Sequence, residues 1–176
     1  MEIHRFEKIW TVASILLLIG FIASIVYGAV GPGVAMVDEE GGTVDVETVR
    51  QGNYDQLSNF GEPTPVAQQV SGDEYRANIV AQRFAFNPGT SQPLQVPADS
   101  TVTLYLTSPD VLHGFELVGT NVNTMVIPGQ VTKVTVEFED PGTYNIVCAE
   151  YCGSAHHLME GTVEVLPQSE FEEVSS

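Results

Sequence analysis

Basic residues are scarce in this sequence. Its 176 residues include 6 Lys and Arg against 23 Asp and Glu, for a formal net charge of −17 and a pI near 4.2. No basic stripe is available to neutralise phosphates, which excludes nucleic acid as a partner. Cysteine is limited to Cys148 and Cys152, and the chain is long enough to bury a core without disulfide staples. Tryptophan occurs once, at Trp10. There is no internal repeat and no low-complexity tract. The length fits one domain with an anchor or a tail.

The charge is unevenly placed. Up to Val37, Glu2 and Glu7 are balanced by Arg5 and Lys8, while all remaining acids face only Arg50, Arg76, Arg83 and Lys133. Such an anionic globule repels itself in dilute buffer and needs ions to screen it. With the excess spread through the domain, the composition reads as a halophile's adaptation to high salt. An acidic docking face for a basic partner is the alternative.

From Ile9 to Val37 no residue is charged, and Trp10 to Val30 is almost continuously apolar. At 1.5 Å per residue that run spans roughly 32 Å, enough to cross a bilayer core. Arg5, Lys8 and His4 precede it and acids follow. The positive-inside rule then places the N-terminus in the cytoplasm and the domain outside the cell membrane. A cleaved signal peptide would have a shorter apolar region and an A-x-A site, which Gly28–Gly33 does not offer. The predicted organisation is a cytoplasmic N-terminus at 1–8, a single transmembrane anchor at 9–30 and a linker at 31–72. A domain at 73–166 and an acidic tail at 167–176 complete it.

After Gly72 the hydrophobic period is two, with no convincing helix. Val102, Leu104 and Leu106 alternate with polar or half-polar neighbours, as do Val134, Val136 and Phe138, then Tyr144 and Ile146, then Val163 and Val165. Pro88-Gly89, Pro128-Gly129 and Pro141-Gly142 mark turns. About seven short strands in roughly 95 residues predict an all-β sandwich or small Greek-key barrel.

The chemistry concentrates in Cys148-Ala149-Glu150-Tyr151-Cys152-Gly153-Ser154-Ala155-His156-His157-Leu158-Met159, with His113 upstream in Asp110-Val111-Leu112-His113. Two thiols, two imidazoles and a thioether form a soft donor set suited to copper. A disulfide would close only a tiny loop with little entropic benefit, and zinc would leave Met159 unused. A mononuclear blue-copper site could use His113, Cys152, His156 and Met159, leaving Cys148 as a surplus thiol. Two bridging thiolates would employ both cysteines and hold two coppers close together. One electron spread over two ions perturbs each bond less, which favours an electron relay.

The segment from about Thr107 to Val165 resembles subunit II of the haem–copper cytochrome c oxidases. The loop C-x-E-x-C-G-x-x-H-x-x-M is matched at every fixed position, and D-V-x-H by Asp110, Val111 and His113. The single anchor makes the chain most similar to the one-helix B-type branch. The resemblance implies a cupredoxin-like Greek-key fold and a binuclear copper A site as cofactor. Cys148 and Cys152 would bridge both coppers. His113 and Met159 would complete one copper, and His156 with the Glu150 backbone carbonyl the other. It further implies an oxidoreductase complex in which this subunit takes electrons from a soluble carrier, a cytochrome c or blue-copper protein. The electrons would pass to haem in subunit I, which carries the oxygen-reducing site; no catalytic residue is expected in this chain. In many relatives the Glu150 side chain is associated with a magnesium shared with subunit I, and no magnesium is assigned from this chain. The Trp-rich docking stretch of many two-helix members is missing; Phe84 and Phe86 are candidates for an apolar patch in its place, with core strand residues as the simpler reading. His157 is out of register with the motif, and Tyr151 reads as packing or surface.

Overall fold

The computed structural model describes residues 4–30, 36–38 and 41–175. The first three residues of the expected cytoplasmic N-terminus, positions 31–35 and 39–40 of the expected linker, and Ser176 at the end of the expected tail lie outside the described residues.

Helix α1 (Arg5–Val30) runs unbroken through the apolar segment. Trp10, Leu17 and Phe21 on it are all largely exposed, and its window Arg5–Tyr27 is long and apolar enough to cross a membrane. A helix that is apolar all round and uncovered by protein is suited to lipid.

Two sheets face one another behind it. Strands β1 (Met36–Asp38), β2 (Gln68–Ser71), β3 (Glu74–Gln82), β4 (Ala85–Asn87), β6 (Ser100–Thr107) and β9 (Thr132–Phe138) form the first, in the order β1-β9-β6-β3-β2 with β4 also on β3. Strands β5 (Leu94–Pro97), β7 (His113–Leu117), β8 (Asn123–Val126), β10 (Gly142–Val147) and β11 (Glu160–Leu166) form the second, in the order β5-β11-β10-β7-β8. The β3/β6 and β5/β11 pairs are parallel. The alternating residues meet between the sheets: Val102, Leu104, Leu106, Val134, Val136, Ile146, Val163 and Val165 are buried in one core with Phe86, Phe115 and Phe138. Period-two patterning thus became two apolar inner faces, as a half-buried strand requires.

Three expectations change. Nine strands lie beyond Gly72 among the described residues, where about seven were expected. The additions, such as β4 and β8, are too short to show an alternation. The acidic tail is instead helix α3 (Gln168–Ser175), whose Phe171 is buried edge-on against Tyr75 at 5.4 Å between ring centroids.

The third change concerns the linker, whose described part, 41–72, is built into the domain. Helix α2 (Val46–Arg50) is capped by Asp45, whose carboxylate accepts from Thr48 N–H at 2.8 Å. Val44, Val49 and Phe60 are buried with Val80 and Val131 on the outer face of β3 and its neighbours. Asn78 ties this cover down by accepting from Gly61 N–H at 3.1 Å. The covered face explains why Ala77-Asn78-Ile79-Val80-Ala81 is buried at five successive positions where a surface strand would alternate.

Candidate metal centre

One end of the sandwich gathers the chemistry. His113 opens β7, and residues 148–159 form the loop from β10 to β11. A backbone bond from Cys148 N–H to the Met159 carbonyl (3.1 Å) closes the loop at its neck. Inside it, a 3-10 turn at His156–Leu158 follows a bond from His156 N–H to the Gly153 carbonyl (3.1 Å). The loop can lie against β7 only because residue 114 is glycine. A Cβ there would stand 2.6 Å from Glu150 N and 2.8 Å from Ala149 N.

The closed loop turns its donors toward one point. Cys148 and Cys152 are buried and unbonded, their sulfurs 3.7 Å apart. Cys148 Sγ faces His113 Nδ1 at 3.9 Å and the Glu150 backbone carbonyl at 3.2 Å. Cys152 Sγ faces His156 Nδ1 at 3.6 Å and Met159 Sδ at 3.6 Å. A donor nitrogen of His113 and the two sulfurs all lie within 4.8 Å of one another. All six positions singled out in the sequence are therefore brought together, Glu150 through its backbone oxygen.

The electrostatics suit a cation. Burial, and then the neighbouring Cys148, push the Cys152 thiol up to about 11. Two thiolates side by side in such a place need a positive partner, and a soft metal supplies one. His113, fully buried, has Nε2 2.9 Å from Asp110 Oδ1, which leaves Nδ1 facing the sulfurs. That is the orienting arrangement found behind metal-ligating imidazoles. Burial alone would raise the Asp110 carboxyl. Bonds from His113, the Arg83 and Val111 N–H groups and the Ser108 hydroxyl instead hold it below its usual range.

The remaining candidates separate cleanly. Phe86 is core, edge-on to Phe115 at 5.8 Å between ring centroids, so it is no part of a surface patch. Phe84 is half-buried with its ring against Gly153. His157 is exposed. Of the two readings of Tyr151 the structure has surface (74% exposed, its ring edge-on to His156), and beside it sequence reasoning missed a second apolar group that reaches solvent, Leu158. It also missed Gly114, although a glycine directly after the candidate ligand His113 was a readable signal.

Fold and donors together define a class: a cupredoxin-like β domain with a buried sulfur–nitrogen site at one end of its two sheets. Residues 81–166 match the family model for the periplasmic domain of cytochrome c oxidase subunit II. A cytochrome c oxidase subunit 2 of Thermus thermophilus is 36% identical over 165 residues, 93% of each chain. A second Thermus thermophilus protein of that name is 38% identical over 122 residues, 69% of this chain and 84% of its own length. A chain from a cryo-EM structure of a heme-copper terminal oxidase dimer superposes with a TM-score of 0.57 at 32% identity, covering 92% of this chain and 100% of that one. The periplasmic domain of subunit II from Bradyrhizobium japonicum shares the fold, with a TM-score of 0.54 at 19% identity over 60% of this chain and 94% of that one. The chain belongs to the cytochrome c oxidase subunit II family, and its thiol and imidazole cluster is a donor set suited to a soft metal.

Proposed function

We propose that this chain is the electron-accepting subunit of a terminal oxidase of the single-helix B-type branch. It takes single electrons from a soluble carrier at a binuclear copper centre and hands them to haem in subunit I. Subunit I carries the oxygen-reducing site. Helix α1 anchors the chain in the cell membrane, with the N-terminus cytoplasmic and the copper domain on the other side.

The carrying observation is the even division of donors between two sulfurs. Cys148 has an imidazole nitrogen and a carbonyl oxygen beside it, and Cys152 has an imidazole nitrogen and a thioether. A single copper on Cys152, His113, His156 and Met159 would leave the Cys148 thiol and the Glu150 carbonyl unused. Two coppers held by both thiolates would employ every donor, His113 and Met159 serving one and His156 and the Glu150 carbonyl the other. When bound, such a pair supplies a one-electron couple whose charge is shared between two ions. The chain's own residues hold the donors still. Gly114 lets the loop seat on β7, Asp110 fixes the His113 ring, and the surrounding core excludes water, which keeps reorganisation small.

The test is electron delivery in the assembled oxidase. Mixing with a reduced soluble carrier should reduce the haem of subunit I in single-electron steps, and Cys148→Ser should abolish that reduction. Haem reduction at an undiminished rate in the variant would rule the binuclear relay out.

A further inference from the structure

Arg83 supplies no metal donor, yet it touches both halves of the site. It lies in the turn between β3 and β4, on the sheet opposite the one that carries His113 and the cysteine loop. Its backbone N–H donates to Asp110 Oδ2 at 2.8 Å, and Asp110 Oδ1 is the partner of His113 Nε2. Its side-chain Nε–H donates to the Cys152 carbonyl at 3.1 Å, a bond spanning 69 positions of sequence. The next residue adds a second grip: a Cβ on Gly153 would stand 3.0 Å from the Phe84 ring. One turn of the first sheet thus reaches the His113 side through Asp110 and the cysteine side through Arg83 and Phe84.

We propose that Arg83 is a positioning residue for the metal loop, its Nε–H clasping the Cys152 carbonyl so that the sulfur keeps its place relative to Cys148 and His113. The inference rests on reading Cys152 and His113 as copper ligands. The loop's own bonds are local: the neck at Cys148 and Met159 and the 3-10 turn tie the loop only to itself. The Arg83 bond ties it to the other sheet. Outer partners of this kind hold ligand geometry, and their loss typically costs about 10–100-fold in metal affinity. The clasp is the Nε–H hydrogen bond itself and not an ion pair, since the acceptor is a neutral carbonyl.

That distinction sets the test. Glutamine places an N–H donor at the same distance along the side chain as arginine Nε, and methionine places a methyl there. The full-length chain in detergent is loaded with copper and challenged with a chelator, while electron paramagnetic resonance follows the hyperfine pattern. Arg83→Met should release copper about tenfold faster with a distorted pattern. Arg83→Gln should keep wild-type retention and spectrum. Metal-free melting temperatures of both variants should match wild type, because Arg83 is exposed. If the two variants behave alike, whether both intact or both impaired, the clasp is refuted. One copper in the wild type would instead defeat the binuclear reading, and the Met–Gln comparison would still decide the clasp.

Discussion

Cys148 and Met159 are both assigned as donors, but their removal should differ in kind. On the proposed binuclear reading, Cys148→Ser removes one of the two shared thiolates, so the shared-electron centre should vanish and the copper content should fall. Met159→Leu removes a weak thioether of similar volume, so two coppers should remain with a shifted reduction potential. Copper analysis and potentiometry on the two variants separate these outcomes, and equal behaviour would contradict the assigned roles. Gly114→Ala addresses the seat of the loop. A methyl 2.6 Å from Glu150 N forces backbone to move, so the metal-free chain should lose at least about 1–3 kcal/mol and copper uptake should fail. Chemical denaturation of the variant checks the first part. At this scale the grouping of candidate donors was legible because few residue types bind a soft metal and five of the six candidates sit in one short loop, with only His113 supplied from β7. Arg83 was not, since its bond to Cys152 joins distant positions, and an isolated arginine carries no local signal.

The elements were legible where burial is one-sided. β6, β9 and β11 alternate because one face meets the core while most of the other stays only half-buried. The expected linker, 31–72, is polar and carries Gly41-Gly42, Gly61 and Pro63-Thr64-Pro65, so its described part shows no periodicity of its own. Its contribution is a few anchors, Val44, Val49 and Phe60, set on a sheet face by tertiary contact. Phe60→Ala should therefore cost about 3–5 kcal/mol, as for a core phenylalanine, where truncation in a true linker would cost almost nothing. Urea unfolding of the full-length variant in detergent distinguishes the two. Phe171 makes the same point for α3, since an acidic segment of eight residues conceals one buried aromatic.

For the molecule as a whole the acidity is the dominant physical fact. Asp73, Asp99, Glu137 and Glu139 share one cavity of about 230 Å³ at the start of β3 and β6 and the end of β9. The metal loop lies beyond the other end of β3, roughly 26 Å along the strand at about 3.3 Å per residue. A donor seated over the loop would not meet this cluster. In dilute buffer the cluster and the remaining excess repel. At about 1 M salt, where the Debye length is about 3 Å, they are screened. The melting temperature of the full chain should rise strongly from low to molar salt, while electron transfer from the donor should depend weakly on salt. Equal stability at both extremes, with donor rates falling steeply as salt rises, would point to acidic docking instead. The central claim is the pair of coppers, and the most direct measurement counts copper in the full-length chain and records its paramagnetic resonance. One electron shared equally by two copper nuclei gives a seven-line pattern with two ions per chain, which is the predicted result; a four-line pattern with one ion per chain would contradict it.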